Sequence, residues 1–71
     1  IDLVAELAGG RLVGIEVKAA AAPTPHDAKH LRWLRDELGE RYVAGVVLHT
    51  GPRLYELDDK IIAAPIAALW G

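Results

Sequence analysis

The stretch Arg11-Leu-Val-Gly-Ile-Glu-Val-Lys-Ala19 decides how this chain folds. Val13, Ile15 and Val17 recur at every second position, the period of a strand with one apolar face. Gly14, Glu16 and Lys18 fall between them, and residues two apart on a strand point the same way, so Glu16 and Lys18 share a face. Just upstream, Ile1 to Leu7 (IDLVAEL) alternates in the same manner, and Ala8-Gly9-Gly10 between the two runs is a turn signal. The two runs are expected to form an antiparallel hairpin.

Register then decides the chemistry, because a slip of one residue exchanges the two faces. A Gly9-Gly10 loop would set Asp2 against Val17. A loop of Ala8, Gly9 and Gly10 pairs Leu7 with Arg11 and sets Asp2 against Glu16. The apolar pattern favours the second register. Ile1, Leu3, Ala5 and Leu7 then share a face with Val13, Ile15 and Val17, the expected core face. Asp2, Glu6, Glu16 and Lys18 gather on the opposite, charged face.

Working downstream, Ala20 to Pro23 reads as a connector. Thr24 is placed as a helix N-cap, with Pro25 at the first helical position and Asp27 at the third. The helix is expected to run to about Leu38 and stop at Gly39. Ala28, Leu31, Leu34 and Leu38 form its core stripe, and Trp33 lies off it as a partly exposed aromatic suited to an interface. Tyr42 to His49 (YVAGVVLH) is a Val-rich run expected to be a strand buried on both faces, with Gly45 packing closely against the helix. Strand, helix and buried strand in that order imply a right-handed crossover and parallel pairing. Arg53 to Leu57 and Ile61 to Ala64 are expected to pair across Asp58-Asp59-Lys60. Pro65 to Trp70 should close with a helical turn, Trp70 capping the core. The fold class is α/β.

The chain has 71 residues, 52% of them hydrophobic and 25% charged, with a net charge of −2 and no cysteine. That composition suits one small globular domain, residues 1–71, and a size at which folding buries only about 60% of the chain's surface. The charge gives no basic footprint for avid, non-specific binding to nucleic acid. No apolar run approaches a membrane span, and the absence of cysteine fits the cytoplasm. The chain contains no Met and opens inside a strand-like run, so it is expected to be a fragment of a longer protein. So apolar a sheet in a fragment should self-associate, as a homo-oligomer joined through sheet edges or the hairpin.

Asp2, Glu16 and Lys18 form the constellation with chemical meaning: an aspartate, thirteen residues, then Glu-Val-Lys. Two neighbouring carboxylates repel each other, and a hard divalent cation, Mg²⁺ or Mn²⁺, relieves that repulsion. A lysine beside the metal can orient a water and offset transition-state charge. The implied reaction is metal-assisted hydrolysis of a phosphodiester. The competing reading is a solvated strand face with a cross-strand ion pair, worth under about 1 kcal/mol. Glu6, near the turn, reads as plain surface. His26 and His30 have a helical spacing that can ligate zinc, but no third ligand is evident, and both read as ordinary polar positions. His49, ending a buried strand, reads as a structural histidine held by a backbone partner.

These residues resemble the PD-(D/E)XK nuclease superfamily, with Asp2 as the motif aspartate and Glu16-Val17-Lys18 as the E-x-K element. The wider string is similar to the C-terminal domain, of unknown function, of predicted prokaryotic AAA+ ATPases. The matching segments are Ile1-Asp-Leu-Val4, Gly14-Ile-Glu-Val-Lys18, Gly45-Val-Val-Leu-His-Thr-Gly51 and Ala64-Pro-Ile-Ala-Ala-Leu-Trp70. The resemblance implies a restriction-endonuclease-like core and a divalent cation held by Asp2 and Glu16, with Lys18 assisting. In that superfamily Lys29's helix can also aim a polar side chain at the site, and a helix upstream of the first strand often adds an acidic ligand. The resemblance further implies the rest of an ATPase as partner and nucleic acid as substrate. No Walker A loop is present, so ATP binding is not assigned to these residues. The alternative is the same fold as an inactive interaction or oligomerisation module.

Overall fold

Residues 1–70 are described by a computed structural model, in which five strands form one open sheet. These are β1 (Leu3–Glu6), β2 (Leu12–Val17), β3 (Tyr42–His49), β4 (Tyr55–Asp58) and β5 (Ile61–Pro65), in the spatial order β1-β2-β3-β5-β4. One α-helix, α1 (Lys29–Leu38), lies between β2 and β3 in sequence. The fold is therefore mixed α/β.

The hairpin forms in the expected register. Leu3 pairs with Ile15 and Glu6 with Leu12, and the Leu7 N–H donates to the Arg11 carbonyl at 2.7 Å. Gly9 and Gly10 both take positive φ, 81° and 76°, which the tight three-residue turn requires. β2 and β3 pair in parallel, as do β3 and β5, while β4 returns antiparallel to β5. The second hairpin is tighter than expected, with Lys60 at φ 58° in its turn.

The helix start is a capping box: the Asp27 carboxylate accepts the Thr24 N–H at 2.8 Å while the Thr24 side chain faces the backbone at Asp27. That N–H holds the Asp27 carboxyl below its ordinary range. Pro25–Ala28 forms a 3-10 turn, so the α-helix begins four residues later than the cap alone suggests. Gly39 ends it at φ 56°. Arg35 ties α1 to the second hairpin, donating from Nη1 to Asp58 Oδ1 at 3.1 Å and to the Asp59 carbonyl at 2.9 Å.

The expected core stripe is buried: Ala28 and Leu31 fully, Leu34 nearly so, with Leu38 partly covered. It packs on Tyr42, Val47, Leu57, Ile61 and Ala63. The face of the hairpin that it covers is the opposite of the one expected. Gly14 and Glu16 are buried under the helix side, whereas Leu3 is 57% exposed and Val17 50%. The reason is volume. Gly14 and Gly45 are register partners on adjacent strands, and together they leave a shallow where Leu31 settles. A Cβ on Gly14 would stand 2.7 Å from Leu31 Cδ2 and 2.9 Å from Leu34 Cδ2. A Cβ on Gly45 would strike the Tyr42 hydroxyl. Full burial of a leucine contributes about 1.5–3 kcal/mol, and only this face offers it.

β3 is correspondingly one-sided. Gly45, Val47 and His49 are buried beneath the helix, while Ala44, Val46 and Leu48 on its other face are only half-buried. The closing turn at Ile66–Trp70 is 3-10. The proposed core-capping role of Trp70 lies outside the described residues, as do the surroundings of the Leu69 and Trp70 side chains. Among the described residues no helix is long and apolar enough to cross a membrane.

Two outcomes follow from this packing. Gly45→Ala drives the Tyr42 hydroxyl off the Lys60 carbonyl, to which it donates at 2.9 Å. Overpacking of this kind lowers stability by about 1–3 kcal/mol, read as a lower urea midpoint at unchanged slope. Burial pushes the Tyr42 phenol up to about 12. An unfolded tyrosine ionises near pH 10, so the folded state keeps its proton longer. Stability from Tyr42 is complete below about pH 10 and falls as pH rises towards 12. Tyr42→Phe removes that slope in alkaline unfolding curves.

Candidate metal and anion site

The C-terminal ends of parallel strands are where open α/β sheets present their loops to ligands. Here the end of β2 carries Glu16 and, one residue past the strand, Lys18. Pairing continues through Lys18, whose N–H donates to the Leu48 carbonyl at 2.8 Å, and the Thr50 N–H donates to the Ala20 carbonyl at 3.0 Å. The chain then turns through the connector into the capping box, which brings the start of α1 back over the strand end. Gly51 lets the β3–β4 loop cross this connector closely, since any Cβ there would collide with the Ala21 carbonyl.

Glu16 is the unusual residue. Only 8% of its side-chain surface is exposed, and its Oε2 has no hydrogen-bond partner among the described residues. Its Oε1 lies 3.6 Å from His30 Nδ1. Buried carboxylates are ordinarily fully partnered, because an unsatisfied buried polar group costs about 1–3 kcal/mol, more when charged.

Asp2 occupies the expected position, next to Glu16 when the hairpin register is continued by one pair. Its backbone N–H donates to the Ile15 carbonyl at 3.2 Å. Its carboxylate, however, is turned to the backbone, with Oδ2 accepting the Val17 N–H at 2.7 Å. One oxygen of Asp2 is thus committed to holding the strand. Among the described residues no three His, Asp or Glu side chains converge closely enough to form a ready-made metal cage.

Beside the strand end opens a cleft of about 250 Å³ lined by Lys18, His26, Asp27, Lys29 and His30. Lysine and histidine predominate, and the Asp27 carboxylate is already engaged by Thr24, so the cleft suits an anion. Lys18 and Lys29, singled out from sequence, meet here, and so do His26 and His30, whose spacing alone gave no reason to place them at the site. Glu6 is exposed at the far end of β1, as expected. His49 is buried: its Nδ1 accepts the Gly51 N–H at 3.0 Å and its ring lies 5.8 Å from that of Tyr55, while Nε2 has no partner among the described residues. The backbone partner expected for it is present.

No curated protein and no solved structure matches the chain. A family model described as "Domain of unknown function (DUF4143)" matches residues 1–69, which takes in the hairpin, the helix, all five strands and the cleft between them. The chain belongs to the DUF4143 family.

Proposed function

We propose that this domain binds a divalent cation, Mg²⁺ or Mn²⁺, through Glu16 and Asp2 and uses it to hydrolyse phosphodiesters. The observation that carries the reading is Glu16: a buried carboxylate with an oxygen unpartnered among the described residues, 3.6 Å from His30, which lines a cleft with Lys18, His26, Asp27 and Lys29. A cation supplies the missing partner for Oε2. Water and phosphate oxygens complete the shell, as is usual for Mg²⁺ held by one or two carboxylates. Lys18 and Lys29 then face the anionic substrate, and Lys18 is the group that orients the attacking water and offsets charge on the transition state. The order of antiparallel hairpin, Glu-x-Lys strand end, helix and parallel strand supports a restriction-endonuclease-like core, and the resemblance to ATPase C-terminal domains supports an AAA+ partner upstream.

Calorimetric titration of Mn²⁺ into the 71-residue chain tests this reading. Glu16→Gln keeps the shape and removes the charge. It should weaken binding at least about tenfold without loss of fold by circular dichroism. Absence of binding to folded wild type, or equal binding by the variant, would overturn the proposal.

A second reading has its own observation, the uncovered sheet face bearing Leu3, Val17 and the half-buried Ile15, Val46 and Leu48. On this reading the domain is an interaction or oligomerisation module. The molecule measures 32 × 26 × 18 Å. A dimer by light scattering that Val17→Lys returns to monomer is the expected outcome. A wild-type monomer throughout a concentration series would refute it.

A further inference from the structure

Basic side chains are gathered in one place although the chain as a whole is acidic. The net charge is −2 and there are three lysines and three histidines, yet Lys18, Lys29, His26 and His30 all line one cleft of about 250 Å³. They come from three parts of the fold. Lys18 stands one residue past the end of β2, His26 in the 3-10 turn Pro25–Ala28, and Lys29 and His30 in the first turn of α1. Arg32 and Arg35, farther along that helix, are both paired with Asp58. Lys18 and Lys29, by contrast, form no ion pair among the described residues. Like charges held together repel, and an anion between them relieves that cost. The carboxylate in the cleft, Asp27, is turned to the helix cap, where its Oδ2 accepts the Thr24 N–H at 2.8 Å. That N–H chiefly, and the charges of Lys18 and His26 in smaller part, hold the Asp27 carboxyl below its ordinary range, so Asp27 stands close enough to feel the cations of the cleft.

We infer that this cleft binds a phosphomonoester through its phosphoryl group, directly and without a metal ion. Charge selects the monoester. It carries about −1.5 to −2 at neutral pH, which the two unpaired lysines match, whereas a diester carries one charge only. The donors fit as well: each ammonium offers three N–H groups and each imidazole at least one, against the three acceptor oxygens of a terminal phosphoryl group. The start of α1 adds its partial positive charge on the same side. Size limits the ligand further. Pockets for whole small molecules run about 300–1,000 Å³, so this smaller cleft takes the phosphoryl group and leaves the rest of the ligand outside. Asp27 is the one opposing charge among the lining residues, and it sets a ceiling on affinity that its removal would lift.

The inference rests on the proposed function for its link to nucleic acid, while the binding itself needs no cation, and the test keeps the two apart. Inorganic phosphate is titrated calorimetrically, near neutral pH with a chelator present, into wild type, Lys29→Gln, His26→Gln and Asp27→Asn, each checked for fold by circular dichroism. Lys29 and His26 are exposed, so their replacement spares the fold. Expected are a loss of about tenfold for Lys29→Gln, about threefold for His26→Gln, and a gain of about threefold or more for Asp27→Asn. A short DNA strand with a 5′-phosphate is then compared with the same strand ending in a 5′-hydroxyl. Binding of the phosphorylated strand about tenfold tighter identifies the ligand as a nucleic-acid end; phosphate bound while both strands are refused identifies it as a small phosphomonoester. No phosphate binding by folded wild type, unchanged binding by Lys29→Gln, or equal and measurable binding of the two strands would overturn the inference. Phosphate binding without Mn²⁺ binding removes the proposed cation and leaves the cleft standing, and Mn²⁺ binding without phosphate binding does the opposite.

Discussion

The structure depends on two glycines that lie side by side. Gly14 on β2 and Gly45 on β3 are register partners, and the absence of two Cβ atoms is what allows Leu31 to lie flat on the sheet. Helix-on-sheet packing is short-ranged, and the interior tolerates neither a void nor an overlap of even one methyl group without loss of stability. The consequence reaches well beyond Leu31. The helix sits on the face that carries Glu16, so a residue that ordinary patterning would leave in water is instead covered. The first turn of α1, with His30 and Lys29, is carried to the end of β2 by the same contact.

Burial changes what Glu16 can do. In water a lone carboxylate is satisfied by solvent on every lone pair. Beneath a helix it must find partners or suffer a desolvation penalty that a surface ion pair does not face. Oε1 has the His30 imidazole at 3.6 Å, and Oε2 has no partner among the described residues. Natural cores seldom keep such a group without use, since an apolar side chain would fit the same space at lower energy. Asp2 shows the contrast. It remains in solvent and places one oxygen on the Val17 N–H, where it helps hold the hairpin together. The two acids therefore contribute differently: Asp2 carries part of the strand pairing, and Glu16 carries a buried oxygen without a partner among the described residues.

Much of this was legible in the sequence, and the illegible part has one cause. The period-two alternation and the Ala8-Gly9-Gly10 turn determine the hairpin register, which is local chemistry. Thr24, Pro25 and Asp27 mark the helix start, although the 3-10 geometry of its first turn depends on docking and not on the cap. The buried face could not be read from the alternation. Apolar residues mark the face that profits from burial, but glycines mark the face that a helix can approach, and here the two are opposite. Gly45 read as a close-packing position was the right signal; its partner Gly14 carried the same message and was read only as part of a strand. His30 escaped for a related reason. Its contact with Glu16 spans a connector and a helix start, so no local spacing records it.

The two faces of the sheet bear on different questions, and this lets the metal reading and the assembly reading coexist. Glu16, Lys18 and His30 lie on the side that α1 covers. Leu3, Ile15 and Val17 lie on the other, because alternate residues of one strand cannot share a face. A partner seated on the apolar side would thicken the sheet from one layer of support to two, as α/β folds with central parallel strands usually require. It would add stability without touching the cleft. Cover on that face would also stiffen β2, and a stiffer β2 fixes Glu16 relative to α1 more tightly than the helix alone can. The two sides of the sheet are thus coupled through one strand whose alternate side chains serve each of them.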